Sequence, residues 1–130
     1  MKKFDIIIIG AGLYVCGKGT SGYGTILPAI FEWKRHNKNI GDIHCVSTSA
    51  KSSKEVLQKV KGLEVKTGIK VDVKTYPEND LRNHDAYKEV LKKCKNPGCA
   101  IIAVPDHLHH QIAKDCLQEG LHTLLVKPLT

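Results

Sequence analysis

Residues 10–24, GAGLYVCGKGTSGYG, place six glycines directly after the aliphatic run FDIIIIG. Glycine at such a point lets an anion reach backbone N–H groups that a side chain would cover, and the start of the next helix adds a favourable dipole. Two phosphate-binding patterns fit in part. Gly10, Ala11 and Gly12, with Leu13 beyond them, open a G-x-G-x-x-G fingerprint in which the first glycine makes a tight turn and the second admits a pyrophosphate. Val15 stands where its third glycine belongs. The rival is a P-loop, because Gly12 to Lys18 spell G-x-x-x-x-G-K. Gly19 then replaces the Ser or Thr that ligates magnesium, and Gly19, Gly22 and Gly24 disfavour a helix starting at the lysine. A second G-x-G-x-x-G, from Gly17 to Gly22, lies too far from the apolar run. Residues 17–24 are therefore read as an insertion between strand and helix, able to cover phosphates or adenosine. A P-loop and a surface loop without ligand stay as alternatives.

The elements that must position this loop alternate along the chain. FDIIIIG reads as a strand buried on both faces. TILPAIFEWKRH carries Ile26, Leu27, Ile30 and Phe31 at helical spacing, with Thr25 as a cap and Pro28 in the first turn. IHCVST is a second strand. The segment SSKEVLQKVKGLEVKTG offers a capping box, Ser52 with Glu55, then Val56, Val60, Leu63 and Thr67 on one side and Gly68 at the stop; Gly62 interrupts the pattern. IKVDVKTY alternates like a half-exposed strand near a sheet edge. DAYKEVLKKC is a helix, CAIIAV a buried strand, LHHQIAKDCLQEG a helix and HTLLV a last strand. This order predicts a Rossmann-type doubly wound α/β domain, with a mostly parallel sheet, helices on both faces and right-handed crossovers. A chain of 130 residues is one domain's worth.

The last thirty residues carry a more specific signal. AIIAVPDHLHHQIAKDCLQEGLHTLLVKPLT, residues 100–130, resembles a stretch of the glucose–fructose oxidoreductase and myo-inositol dehydrogenase family, in which a fourth strand runs into T-P-N-x-x-H and a later strand into E-K-P. The resemblance implies an N-terminal NAD(P)-binding domain, residues 1–130, of a longer two-domain oxidoreductase. Val104, Pro105 and Asp106 would border the nicotinamide ribose, and His109 would fill the motif histidine. Lys127, followed by Pro128, would be the lysine that sits beside the nicotinamide, orients substrate and assists proton transfer. An ammonium there stabilises a developing alkoxide, and desolvation can lower its pKa. Val104 replaces the family's threonine, Asp106 its asparagine and Val126 its glutamate, and the last change removes a carboxylate beside the implied catalytic lysine. The implied reaction is hydride transfer with a sugar, cyclitol or related polyol or ketone. Substrate selection and homo-oligomer contacts would belong to the second domain, without which this one should be inactive. A noncatalytic nucleotide sensor or assembly module of the same fold is the alternative.

Cofactor choice is read at the end of the second strand, where NAD-preferring folds place an acidic residue on the ribose 2′-hydroxyl. CVSTSAKSSK has none. Ser47, Thr48 and Ser49 can donate to a 2′-phosphate and Lys51 or Lys54 can supply charge, so NADP is the preferred cofactor and NAD the second. A polar capping stretch that selects neither is the alternative. Cys94, Cys99, His107, His109 and His110 would suit zinc if they converged, but their spacing matches no zinc framework, and no metal is expected.

Charge and cysteine usage exclude other classes. The formal charge of +7 comes from eighteen lysines and two arginines scattered along the chain, without the aromatic platform of a nucleic-acid binder. Five cysteines with no C-x-x-C pair suggest reduced thiols, and none lies in a setting that would activate it as a nucleophile. The run Ile6 to Ile9 is far shorter than the ~20 residues of a membrane span. No secretion signal opens the chain, so a cytoplasmic protein that binds no membrane is expected.

Overall fold

The computed structural model describes residues 3–36, 39–77, 86–94, 98–104 and 108–126, with Leu13 and Tyr14 described by backbone alone. In it the apolar runs become β1 (Phe4–Ile9), β2 (Ile40–Val46), β3 (Val73–Tyr76), β4 (Gly98–Ile102) and β5 (His122–Leu125). They pair in the order β3-β2-β1-β4-β5, and every pairing is parallel. This is the Rossmann-type arrangement. β1 lies at the centre, and Ile6, Ile7 and Ile8 have no exposed surface, because a parallel strand with helices on both faces has no solvent side. The third strand takes an edge, as its alternation suggests, but begins at Val73 rather than Ile69.

The helices divide between the two faces. On one face α1 (Leu13–Cys16), α2 (Ile26–His36) and α3 (Ala50–Thr67) cover Ile6, Ile8, Ile43 and Cys45. On the other, α4 (Ala86–Lys93) and α5 (His109–Gln118) cover Ile7, Ile9, Ala100 and Ile102. In α2, Ile26, Leu27, Ile30 and Phe31 are all buried, each such side chain contributing about 1.5–3 kcal/mol of transfer free energy. Pro28 sits in its first turn, where a missing N–H breaks no intrahelical bond.

Two local expectations are corrected. The cap of α3 is Ser49, whose side chain accepts the Ser52 N–H, so the helix starts before the Ser52–Glu55 box. The glycine insertion does not separate strand from helix. A single turn, α1, forms directly after Gly12, and residues 17–25 then interrupt the helical path before α2 resumes it. Gly17 makes the break at φ 77°, and a Cβ there would lie 2.5 Å from the Gly22 carbonyl oxygen.

A polar cluster extends from the amino-end half of β1 and β2 across to β3. Asp5, 4% exposed, accepts the Asp42 N–H at 2.9 Å, and Asp42 pairs with the Lys74 ammonium at 3.4 Å. His44 Nδ1 lies 3.2 Å from the Tyr76 hydroxyl, and its buried Nε2 has no hydrogen-bond partner among the described residues. Burial, helped by Lys74, holds the His44 pKa below its ordinary value of 6.5. The folded chain therefore takes up this proton less readily than the unfolded chain. Its contribution to stability is complete above pH 6.5 and is lost as pH falls below that value. Thermal melts on the acid side should show a falling midpoint, with a shallower fall in His44→Gln. Equal slopes would count against the assignment.

Candidate functional site

A cavity of about 500 Å³ opens at the carboxyl ends of β1, β2 and β4. The chain leaves β1 towards β2 on one side and returns in β4 on the other, so the cavity occupies the crevice where strand order reverses. Open α/β sheets bind ligands there, because diverging connections leave a gap beyond the strand ends. Gly10, Ala11 and Gly12 form the floor, with Ser47, Thr48 and Val104 at the rims. These residues of the sequence-derived set are brought together.

The two fingerprint glycines have different physical reasons. Gly10 has φ 119°, and a Cβ on it would lie 2.2 Å from the carbonyl oxygen of Ala103. Its N–H continues the ladder to the Val46 carbonyl at 2.8 Å, while the Ala103 N–H bonds the Ile9 carbonyl at 2.9 Å. Only glycine fits this turn. At Gly12 an added Cβ would meet nothing within 4 Å. The bareness of Gly12 serves the cavity that it lines. Val15, at the place of the third glycine, is fully buried in the core under α1.

The remaining expected residues lie elsewhere. Leu13 begins α1. Ser49 is the cap of α3, and its hydroxyl lies 3.2 Å from that of Ser52. Ser47 lines the cavity, but its hydroxyl donates to the Ser49 carbonyl at 2.9 Å and lies 3.3 Å from both Ser53 Oγ and the Tyr76 carbonyl. Lys51 is exposed on α3 and is not among the lining residues. His109 Nε2 donates to the Val104 carbonyl at 2.8 Å, which anchors the backbone leaving β4. Pro105, Asp106, Lys127 and Pro128 lie outside the described residues, as does His107. The Val126 N–H bonds the Ile102 carbonyl at 2.9 Å.

The geometry also departs from the P-loop. A P-loop lysine stands at the start of a helix. Lys18 instead follows α1, within the loop of residues 17–25. Over the chain as a whole, a family model described as oxidoreductase family, NAD-binding Rossmann fold, matches residues 4–130.

The chain belongs to this Gfo/Idh/MocA family.

A comparison with curated proteins found no match. Membership makes the chain an NAD-binding oxidoreductase domain, whose ligand is an anionic nicotinamide dinucleotide. The cavity of this oxidoreductase domain suits such an anion: Lys18 and Lys88 line it, and no carboxylate does so among the described residues. Sequence reasoning missed Lys18, Ser52, Tyr87, Lys88 and Gln111 as wall residues. Tyr87 and Gln111 are held by one carboxylate, the Tyr87 hydroxyl donating to Asp115 at 2.7 Å and Gln111 Nε2 at 2.9 Å. The Tyr87–Asp115 bond joins α4 to α5, a tertiary contact that local sequence pattern does not carry.

The cysteines of the domain are free thiols. Burial pushes Cys45, Cys94 and Cys116 up to about 12 and raises Cys16 and Cys99. Cys16, closest to the glycine turn, donates to the Ala11 and Gly12 carbonyls, so it is a protonated packing group rather than a nucleophile. Among the described residues, one group of potential metal ligands converges: Asp5, Asp42 and His44, within 4.8 Å of one another. It lies at the opposite end of the strands from the cavity, and Lys74 already neutralises Asp42. No helix among the described residues is long and apolar enough to cross a membrane.

Proposed function

We propose that this domain serves an oxidoreductase that moves hydride between NADP(H), with NAD(H) as the second cofactor, and a sugar, cyclitol or related polyol or ketone. The observation that carries this reading is the cavity at the strand-order reversal, with its bare Gly10–Gly12 floor and two lysines in its wall. The residues present fit the cofactor. Gly10, Ala11, Gly12 and Leu13 would hold the pyrophosphate. Val104, Pro105, Asp106 and His109 would border the nicotinamide ribose, His109 acting through the Val104 backbone.

When bound, the dinucleotide supplies a hydride acceptor or donor. The chain's own part is to orient the reacting alcohol and to stabilise charge on its oxygen. Lys127 is assigned that part: in the reducing direction its ammonium would donate a proton to the substrate oxygen as alkoxide character develops, and in the oxidising direction its neutral amine would accept the proton of the alcohol. The absence of an acidic residue after β2 supports NADP over NAD.

A second domain would provide substrate contacts and the homo-oligomer interface. Support comes from β5, at the sheet edge, where Leu124 is 58% and Leu125 49% exposed; apolar edge strands are ordinarily covered. The test supplies the whole enzyme with a panel of polyols and NADP⁺ or NAD⁺ and follows the absorbance of reduced nicotinamide. Turnover faster with NADP⁺ is the expected result. Tight cofactor binding with no turnover on any polyol would favour the noncatalytic module.

A further inference from the structure

The insertion at residues 17–25 is a built structure rather than a slack loop. The Thr20 hydroxyl bonds the Gly17 carbonyl at 2.8 Å and receives the Gly22 N–H at 3.1 Å. Lys59, on α3, donates to the carbonyls of Thr20 and Gly22. Tyr23 lies flat enough on α3 that a Cβ at Gly62 would be 2.7 Å from its hydroxyl. The ammonium groups of Lys59 and Lys66 lie 5.4 and 5.7 Å from the Tyr23 ring centre. Gly62, a weak point in the helix by sequence, is the seat of this ring.

Fixing the insertion on α3 fixes Lys18. Its ammonium is 3.3 Å from the Ser52 hydroxyl in the first turn of α3, and both residues line the cavity. Ser52 Oγ accepts from Lys18 and from the Ser49 hydroxyl, so its own hydrogen is left to donate. Thr48, exposed at the cavity rim directly beyond β2, makes no hydrogen bond among the described residues. Lys18, Ser52 and Thr48 thus line one cavity, with Thr48 directly beyond the second strand, where a dinucleotide fold holds the adenosine ribose. The Gly10–Gly12 floor lies at the end of a different strand, β1.

We infer that the insertion is a cofactor-selecting arm, in which Lys18, with Ser52 and Thr48, receives the 2′-phosphate of NADP. This rests on the dinucleotide reading above and moves the selecting charge from Lys51, which does not line the cavity, to a residue of the glycine loop. An ammonium with a hydroxyl donor beside it offers charge-assisted bonds to a phosphate that NAD lacks.

The test measures dissociation constants of NADPH and NADH for the protein and for Lys18→Met and Lys51→Met, from the fluorescence of the reduced cofactor. Both lysines are exposed, so both variants should fold. Lys18→Met should weaken NADPH at least about tenfold and NADH less than about twofold, while Lys51→Met changes neither much. Equal weakening of both cofactors would place Lys18 on the pyrophosphate and overturn the inference. Selective loss in Lys51→Met, with none in Lys18→Met, would also overturn it. If the wild-type protein bound NADH as tightly as NADPH, the selecting role would fail while the dinucleotide reading stood. If it bound neither, both would fall.

Discussion

Gly10→Ala is expected to lower the unfolding free energy by at least about 3 kcal/mol and to abolish NADPH binding. Two terms add. An L-residue at φ 119° is strained, and its Cβ would lie 2.2 Å from a backbone oxygen of Ala103. Neither side can yield, because β1 and β4 are adjacent strands at the centre of the sheet and the Ala103 N–H is already bonded to the Ile9 carbonyl. Gly12→Ala provides the contrast. Nothing lies within 4 Å of the added methyl, so stability should change by less than about 1 kcal/mol while NADPH binding weakens. Urea unfolding and an NADPH titration on both variants check the pair. A Gly12→Ala protein that binds NADPH normally would show that the pyrophosphate does not approach this turn.

Lys127→Met in the whole enzyme should lower kcat by about 10²–10⁴ while leaving the NADPH dissociation constant within about threefold. Methionine keeps the length of the side chain and removes its charge and protons. The proposed role predicts this split, since an ammonium at the substrate oxygen matters in the transition state more than in cofactor binding. Lys127 directly follows Val126, whose N–H is bonded to the carboxyl end of β4. Val126 also brings no carboxylate beside it, unlike the glutamate of the family pattern, so proton transfer would fall on the lysine itself. Unchanged turnover in the variant would remove Lys127 from the mechanism.

Much of the fold was legible because hydrophobic period and punctuation agree. The unbroken FDIIIIG run reads as a strand buried on both faces, IKVDVKTY alternates as a strand near a sheet edge does, and Gly68 marks the end of α3 at φ 73°. Gly10 and Gly12 were legible because their spacing follows directly from a strand end. What failed to show was set by tertiary contact. Ser49 caps α3 in place of Ser52, a choice between neighbouring serines that local pattern cannot make. Gly62 interrupts the helical pattern in the sequence, whereas in the fold Tyr23 packs against it. In the sequence Lys18 reads only as part of a glycine motif, because its position over α3 depends on the fold of an insertion with no apolar period. Ser47 reads as a donor in the sequence, whereas in the fold its hydroxyl is committed to the Ser49 carbonyl.

The dinucleotide assignment at the Gly10–Gly12 cavity is tested most directly by the thermal unfolding midpoint of the protein in NADPH, compared with ATP and magnesium. At about 100 times the dissociation constant a ligand of the native state adds about 2.7 kcal/mol, a rise of roughly 10 °C for a domain of this size. A rise of that order with NADPH, absent with ATP and magnesium and lost in Gly12→Ala, is the predicted result. A midpoint raised only by ATP and magnesium, or unmoved by NADPH, would contradict it.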